Sequence, residues 1–220
     1  MKKIIIIGAG GHSKVIVDII KNEQKYEIAG FIDNNLPIGH KVLDYKVLGK
    51  EEEINTIINK HEIFGGIIAI GDNYIRCNVE KKIKELCNEF KFINCIHPKS
   101  HIAFNVVMGE GNVVMAGATI NTSTEIGSQC ILNTNCSIDH DNRIANFASI
   151  APNAATGGNV VVGEFSAIGI GATVKHNVSI GYNCIIGSSS LVNKDAQSNS
   201  VYYGMPAKFI RNHELGKKYL

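Results

Sequence analysis

The sequence of 220 residues predicts a small α/β domain, built like half of a Rossmann fold, followed by a parallel β-helix. Three observations predict this fold class. Short apolar runs alternate with amphipathic helical patterns over the first 95 residues. Apolar side chains then recur at six-residue intervals from Ile96 to Val192, without an insertion and with Thr156 as the single exception. Turns rich in Gly, Asp and Asn follow the apolar runs, as they do at the ends of parallel strands.

The first unit, residues 1–95, has the order β-α-β-α-β-α-β, which implies a parallel sheet with right-handed crossovers. Its strands are rich in isoleucine, and Ser13 is the expected N-cap of the first helix. The predicted elements are strands at Lys3–Ile7, Glu27–Ile32, Gly66–Ile70 and Phe92–Ile96 and helices at Ser13–Asn22, Lys50–Lys60 and Tyr74–Phe90.

Ligands of open parallel sheets bind beyond the carboxyl ends of the strands. Those ends are here Gly8–His12, Asp33-Asn34 and Gly71–Asn73. The glycine turn matches only part of the dinucleotide fingerprint, because Ser13 stands where a third glycine is expected. Three interpretations remain open at this point: a bound NAD, a nucleotide whose phosphates contact backbone N–H groups at the helix start, and a tight turn without a ligand.

The second unit, residues 96–195, repeats in hexapeptides, a period typical of a β-solenoid. Sixteen of the seventeen residues in register are apolar, and we expect them to point inward and stack from coil to coil. The residue two positions earlier is usually small and is also expected inside. The residue that follows is often Gly or Asn, which we expect at the corners because these residues accept unusual backbone angles. A β-sandwich would need turn signals roughly every 8–12 residues, which this segment lacks.

Composition argues against several classes of protein. The formal net charge is +2, and no basic tract favours nucleic acid. The six cysteines form no CxxC motif and no zinc-spaced Cys/His cluster, so we expect free buried thiols and no metal site. No segment reaches membrane-spanning length, and the short N-terminal apolar run does not suit a signal peptide. We therefore expect a soluble, cytoplasmic protein with a C-terminal tail at residues 196–220, helical or disordered beyond Lys208.

Three features together resemble the left-handed β-helix acyltransferases: the hexapeptide register, the Gly8–Ser13 turn and the segment Tyr203-Gly204-Met205-Pro206-Ala207-Lys208. The likeness is to the bacterial sugar acetyltransferases grouped with the sialic acid O-acetyltransferases and the UDP-4-amino-sugar N-acetyltransferases of bacillosamine synthesis. It implies a homotrimer with acetyl-CoA in the grooves between neighbouring solenoids. It also implies a sugar or nucleotide-sugar substrate held by the first unit. The residues expected to hold it are Gly10, Gly11, His12, Asp33 and Asn34, to which the strand-end argument adds Gly71.

Acetyl transfer needs a base for the proton of the attacking group and a donor for the thioester oxygen. His140 follows the inward Ile138 by two residues, so we expect it near a corner with its side chain outward. Asp139 and Asp141 flank it, and a carboxylate beside an imidazole raises its basicity and fixes its tautomer. His140 matches the catalytic histidine of the family, and Asp141 matches the acidic residue that follows it. On residue type alone, an ordinary surface histidine between two aspartates would be the simpler interpretation.

Four further positions correspond to acyl-CoA contacts of the family, and at one of them this chain departs from the family's residue. Gly158 resembles the glycine whose backbone N–H faces the thioester carbonyl, and Ile170 and Ser188 match residues that line the CoA site. Relatives often carry a second histidine nine residues after the catalytic one, where this chain has Ser149. The departure leaves general-base chemistry intact and changes the contacts available to acyl-CoA.

The sequence thus predicts an acetyl-CoA-dependent enzyme that N-acetylates a nucleotide-linked amino sugar for bacterial surface glycan synthesis, with His140 as general base. O-acetylation of sialic acid or a related nonulosonate is an alternative, because one histidine base suffices for an amine or a hydroxyl. Two alternatives belong to other classes of protein: a non-catalytic solenoid scaffold and an NAD-dependent regulator.

Overall fold

The computed structural model describes residues 1–218, and its first unit is a five-stranded sheet with three α-helices. Its elements are β1 (Lys2–Ile7), α1 (Gly11–Glu23), β2 (Tyr26–Ile32), β3 (Lys41–Val42), β4 (Tyr45–Gly49), a 3₁₀ turn (Glu51–Glu53), α2 (Ile54–His61), β5 (Ile63–Ile68) and α3 (Asn73–Leu86). The strand order is β3-β4-β2-β1-β5, and β1 runs parallel to both of its neighbours. This is the parallel α/β sheet that the sequence predicts.

β1 lies between β2 and β5, and its residues Ile4–Ile7 are buried on both faces of the sheet. Ile4 and Ile6 pack with α1, whereas Ile5 and Ile7 pack with α2 and α3 on the opposite side. The alternation follows from the two-residue period of a strand. A strand buried on both faces in this way belongs in a parallel sheet covered by helices.

Several details of this unit differ from the prediction. The short hairpin of β3 and β4 was not predicted, β5 begins at Ile63, and the strand expected from Phe92 is reduced to an isolated bridge before residue 95. Ser13 is not the N-cap of α1. Gly10 holds that position, and Ser13 is buried inside the first turn, where its Oγ donates to the carbonyl oxygen of Gly10 at 2.7 Å.

The second unit consists of two-residue strands at six-residue intervals. They are β6 (Cys95–Ile96), β7 (His101–Ile102), β8 (Val107–Met108), β9 (Val113–Val114), β10 (Thr119–Ile120), β11 (Glu125–Ile126), β12 (Ile131–Leu132), β13 (Ser137–Ile138), β14 (Arg143–Ile144), β15 (Ser149–Ile150), β16 (Ala155–Thr156), β17 (Val161–Val162), β18 (Ala167–Ile168), β19 (Thr173–Val174), β20 (Ser179–Ile180), β21 (Ile185–Ile186) and β22 (Leu191–Val192).

These strands form the three parallel sheets of a left-handed β-helix. The first face contains β6, β9, β12, β15, β18 and β21; the second face runs from β7 to β22 and the third from β8 to β20, each in steps of three strands. Ile120 pairs with Ile138, so one coil takes 18 residues. From Val114 to Val192 the inward residues in register are at most 5% exposed, and the small residues two positions earlier are also buried. The predicted period and interior are confirmed.

The corners differ from the prediction in one respect. The residue with left-handed φ is the third after each inward aliphatic, as in Asn135 and Asp141 with φ of 57°, and not the first. The glycines that directly follow the aliphatic residue are there because the neighbouring coil leaves no room for a side chain. A Cβ on Gly157, for example, would lie 2.7 Å from the backbone nitrogen of His176 in the next coil. The close approach of neighbouring coils therefore limits the first corner position to small residues.

The first unit packs on the start of the solenoid. α1 shares an apolar cluster with Val113, Met115 and Ile131 on the first face. The start of α3 lies against the corner between the third and first faces, where the rings of Phe147 and Phe165 stack at 5.4 Å between centroids. This placement leaves the later strands of the first face open beside the carboxyl end of the parallel sheet.

A C-terminal hairpin closes the far end of the first face. β23 (Ser200–Gly204) adds to β21 in parallel, and β24 (Ala207–Asn212) returns antiparallel to β23. The prediction of helix or disorder beyond Lys208 is wrong as far as residue 212, and residues 219 and 220 of the predicted tail lie outside the described range. Within residues 1–218, no helix has the length and apolar character needed to cross a membrane.

Candidate active site

His140 stands on the corner between the second and third faces, where β13 turns into β14. Asp141 occupies the left-handed position of this corner, a conformation that aspartate accepts more readily than most residues. Its Oδ2 lies 2.7 Å from Nδ1 of His140. The two side chains are 50% and 52% exposed, so this pair of imidazole and carboxylate is open to an approaching substrate.

Asp139 holds the same corner from the other side. Its Oδ1 accepts from Nδ2 of Asn121 at 3.0 Å and from the backbone N–H of His140 at 2.9 Å, and these bonds lower the pKa of Asp139. The hydrogen bond to Asp141 raises the pKa of His140, with a further contribution from the negative charge of Asp139. His140 is therefore a stronger base than an isolated imidazole.

Gly158 lies one coil after His140 at the same corner, and the imidazole rests against it. A Cβ at this position would be 2.6 Å from Cε1 and 2.7 Å from Nε2 of His140, so any larger residue would displace the ring. The two residues line a cavity of about 330 Å³ together with Asp139, His176 and Asn177. The structure thus places Gly158 beside the predicted base, and its predicted contact with the thioester stays a prediction.

A larger cavity of about 670 Å³, here called the sheet-edge cavity, opens at the carboxyl ends of β1, β2 and β5. All of the residues predicted to bind substrate line it: Gly10, Gly11, His12, Asp33, Asn34 and Gly71. They come from three separate loops, which the parallel sheet brings to one edge. The sequence argument from strand ends therefore located one continuous cavity.

Two of these residues also shape the loop after β2. The carboxylate of Asp33 accepts from the backbone N–H groups of Ala9 at 2.8 Å, Asn35 at 2.8 Å and Leu36 at 3.1 Å. Oδ1 of Asn34 accepts from the backbone N–H of residue 51 at 3.1 Å. The Asp33 carboxylate thus accepts mainly from the protein itself. Because Oδ1 of Asn34 is also used as an acceptor, the group that Asn34 offers to a ligand is its amide nitrogen, a donor.

A third cavity of about 310 Å³, here called the first-face groove, runs along the open strands of the first face. Ser149, Ile170 and Ser188 line it, as three of the four predicted acyl-CoA contacts. Tyr203 of β23 also lines it, and its ring occupies the space that a side chain at Gly187 would need. Sequence reasoning quoted the segment that contains Tyr203 but assigned this residue no role.

The sheet-edge cavity and the first-face groove meet at His12 and Gly71, which line both. Burial lowers the pKa of His12 to about 4, and the positive charge of Arg76 acts in the same direction. Nε2 of His12 is buried and has no hydrogen-bond partner among residues 1–218. A neutral imidazole at the junction therefore keeps one ring nitrogen available for a ligand.

A single chain does not bring all the predicted site residues together. His140, Asp141 and Gly158 lie on the corner opposite the first face, whereas the groove and the sheet-edge cavity lie on and beside that face. In the described part of the chain, no group of three or more His, Cys, Asp or Glu side chains is placed to hold a metal ion. One chain therefore presents a histidine on one corner of the solenoid and two adjoining cavities on the opposite side.

Comparisons with known proteins match both units. The family model described as the PglD N-terminal domain matches residues 3–83. A GDP-perosamine N-acetyltransferase of Escherichia coli is 29% identical over 161 residues, which are 71% of this chain and 70% of that protein. A UDP-N-acetylbacillosamine N-acetyltransferase of Bacillus subtilis is 30% identical over 116 residues, 53% of this chain and 52% of that protein. A third relative, from Acanthamoeba polyphaga mimivirus, is 34% identical over 56% of this chain, which spans only 23% of its length.

The likeness to solved structures extends over almost the whole chain. The crystal structure of PerB from Caulobacter crescentus, in complex with CoA and GDP-perosamine, matches with a TM-score of 0.89 and 32% identity. The alignment covers 96% of this chain and 98% of that one. The chain therefore belongs to the family of left-handed β-helix sugar acetyltransferases, in the group that includes the nucleotide-amino-sugar N-acetyltransferases.

Proposed function

We propose that the chain transfers the acetyl group of acetyl-CoA to the amino group of a nucleotide-linked amino sugar, as a step of surface glycan synthesis. The observation that carries this proposal is the exposed pair of His140 and Asp141, with 2.7 Å between Nδ1 and Oδ2. A base of this kind suits an acceptor that must lose a proton as it attacks. The relatives named for GDP-perosamine and UDP-N-acetylbacillosamine favour a nucleoside diphosphate sugar with a free amine as that acceptor.

The proposed reaction uses His140 as both base and acid. Nδ1–H donates to Asp141, which leaves the lone pair of Nε2 directed toward the substrate. Nε2 takes the proton of the amine while the nitrogen attacks the carbonyl carbon of the thioester. A C–N bond forms, the C–S bond breaks, and the leaving thiolate receives the proton from His140. The products are an amide and free CoA, and the backbone N–H of Gly158 is the proposed donor to the developing oxyanion.

We assign the sheet-edge cavity and the first-face groove by their shape and lining. The sheet-edge cavity offers backbone N–H groups at the start of α1, which suit the phosphates of a nucleotide sugar. The first-face groove is lined by aliphatic residues such as Ile170 and Ile185, which suit the pantetheine arm of acetyl-CoA. His12 and Gly71, at the junction, would then lie near the sugar and the thioester.

We also propose a homotrimer in the cytoplasm. The separation of His140 from the first-face groove within one chain supports this assembly, because a neighbouring copy can bring its own His140 corner to that groove. A donor such as acetyl-CoA and the six free thiols favour a reducing compartment. Light scattering of the purified chain measures the assembly directly, and fractionation of the producing cell measures the location.

Mixed assemblies test whether the site is shared between copies. His140→Ala removes the base, and Ser188→Trp fills the first-face groove, so each variant alone should be inactive. Co-expression should restore part of the activity, because some sites then combine an intact His140 with an intact groove. A mixture as inactive as its parents would place the whole site within one chain.

A thiol-release assay with acetyl-CoA tests the reaction itself. The acceptors are UDP- and GDP-linked 4-amino sugars, free sialic acid and CMP-sialic acid. Turnover with an amino sugar supports N-acetylation, whereas turnover with the sialic acids alone supports the O-acetyl alternative. A folded chain without turnover and without acetyl-CoA binding would support a scaffold, and a fluorescence titration with NADH tests the regulator.

A further inference from the structure

Arg76, on the first turn of α3, is 1% exposed, and its guanidinium connects the two units of the chain. Nη1 donates to the carbonyl oxygens of Ile70 and Gly71, at 2.9 and 3.0 Å, in the loop that follows β5. On the solenoid, Nε donates to the carbonyl oxygen of Gln129 at 2.8 Å, and Nη2 donates to that of Phe147 at 3.1 Å. One side chain thus fixes a loop of the first unit to two coils of the second.

Asn73, the first residue of α3, extends this contact and is also 1% exposed. Its Oδ1 accepts from Nη2 of Arg76 at 2.7 Å. Its Nδ2 donates to Oγ of Ser149 at 3.3 Å and to the carbonyl oxygen of Phe165 at 3.1 Å. Because Ser149 lines the first-face groove, Asn73 connects the first unit to that groove directly.

The pair lies where the two proposed substrate cavities meet. Gly71, whose carbonyl oxygen Arg76 holds, lines both of them. The sheet-edge cavity is built entirely from the first unit. The first-face groove is built from the solenoid and Tyr203 of the hairpin, with His12 and Gly71 at its edge. The relative placement of the cavities therefore depends on contacts between the units at this junction.

The contact made by Arg76 also requires the chemistry of an arginine side chain. Burying a guanidinium is unfavourable unless its N–H groups are paired, so an arginine is not needed merely to fill space. Its planar fork reaches carbonyl groups of both units at once, which the single ammonium of lysine cannot reproduce. The property that Arg76 supplies is thus a fixed geometry between the loop after β5 and the solenoid corner.

We propose that Arg76 and Asn73 are positioning residues that hold the two cavities in register, so that the acceptor amine meets the thioester. The inference rests on the proposed function. Loss of the pair leaves most of the lining of each cavity on its own unit, so each ligand should still bind. The reacting atoms then lose their productive alignment, and a misplacement of about 1 Å costs on the order of a hundredfold in rate.

A pair of asparagine variants tests this role in the full-length protein. Asn73→Ala removes the contacts at the junction. Asn94→Ala is the matched control, because Nδ2 of Asn94 donates to the carbonyl oxygen of Gly109 and its Oδ1 accepts from the N–H of Asn112, each at 2.8 Å. Asn94 also connects the units but lines neither cavity. Thiol release gives kcat and KM, calorimetry gives the affinities for CoA and for GDP or UDP, and thermal denaturation gives the folded fraction.

Asn73→Ala is expected to lower kcat by about tenfold or more, whereas the affinities for CoA and the nucleoside diphosphate change by less than about threefold. Asn94→Ala is expected to keep kcat within about twofold for a similar loss of stability. Arg76→Lys retains the charge but not the planar fork, and it should show the same loss of kcat. If Asn73→Ala does not fold, Arg76→Lys serves as the test of the positioning role.

Two results would overturn the positioning role: equal losses of kcat in the Asn73 and Asn94 variants, or an unchanged kcat in both Asn73→Ala and Arg76→Lys. A merely structural role would lower the folded fraction in both asparagine variants and leave kcat per folded molecule unchanged. A wild-type protein that turns over no nucleotide amino sugar refutes the proposed function instead, so the two failures are distinguishable.

Discussion

His140 and His12 carry the same imidazole in opposite surroundings. His140 stands on an exposed corner, where the hydrogen bond to Asp141 raises its pKa. His12 lies at the junction of two cavities, where burial, followed by the charge of Arg76, lowers its pKa to about 4. At neutral pH, His140 is therefore able to exchange a proton with a substrate, and His12 remains neutral.

The difference shows how neighbouring groups set the pKa and accessibility of an imidazole, and with them its possible role. A general base has to be accessible and basic, and an adjacent carboxylate provides the second property without removing the first. A neutral imidazole with a free ring nitrogen can contact a polar substrate group without adding charge to a buried junction. The proposed roles thus divide proton transfer and substrate contact between two histidines, and four variants test that division.

Replacement of the base should have the largest effect. His140→Ala is expected to lower kcat by about a thousandfold, as loss of a general base typically does. The melting temperature should change little, because the side chain is half exposed. The thiol-release assay measures this, with the exposed His40→Ala as control. Activity of His140→Ala near that of His40→Ala would show that another group takes the proton.

The partly buried histidine, His12, should affect stability rather than proton transfer. Because the pKa of His12 falls from 6.5 in the unfolded chain to about 4 in the folded chain, acid protonates the unfolded state first. Its contribution is complete above pH 6.5 and is lost as the pH falls toward 4, by up to about 3 kcal/mol. Denaturant titrations across this range should show a flatter profile for His12→Gln than for wild type or His40→Gln. If the free energy of unfolding depended on pH equally in all three proteins, the lowered pKa of His12 would be contradicted.

The partner of the base should affect the pH profile of activity. In Asp141→Asn the carboxylate is lost, the pKa of His140 falls, and the acid limb of the kcat profile should move to lower pH. The plateau should fall by about tenfold, because the base is weaker and its tautomer is less fixed. Asp44→Asn, at an exposed aspartate paired with Lys21, is the control and should leave the profile unchanged. If the acid limb of the Asp141→Asn profile did not shift, Asp141 would not set the pKa of the base.

The smallest effect on kcat is expected from a substitution of Gly158, against which the His140 ring packs. The methyl group of Gly158→Ala would lie 2.6 Å from Cε1 of His140, so the imidazole has to move. Since the side chain is half exposed, it can do so at little cost in stability, and kcat should fall by about threefold to tenfold. Steady-state kinetics and thermal denaturation measure both quantities. A fall in melting temperature without a change in kcat would indicate packing alone.

The sequence predicted most where a feature repeats locally. The inward column of the solenoid follows from a six-residue period, and the sheet-edge cavity follows from the rule that strand ends meet at one edge. The left-handed corner position escaped prediction because the glycines that suggested it are there to admit the neighbouring coil, as Gly157 shows. Ser13 was misplaced because a serine in the first helical turn resembles a cap in sequence alone.

Hydrogen bonds from side chains to distant backbone carbonyl groups carried no sequence signal at all. Arg76 bonds to carbonyl oxygens at positions 129 and 147, and Asn73 to one at position 165. Any residue type supplies a carbonyl oxygen, so the partners leave no pattern to read. Tyr203 shows the same limitation, since its place over the first-face groove depends on a hairpin that the tail sequence did not indicate.

The uninterrupted register also fixes distances along the solenoid axis in steps of one coil. Each coil takes 18 residues and advances the chain by about 4.8 Å along the axis. Six extra residues would rotate every later residue onto the next face, whereas eighteen would return it to its own face one rung further on. The spacing between the corner of His140 and any later part of the groove can therefore change only by whole coils. An insertion of any other length that keeps these residues on their own faces has to bulge outward as a loop.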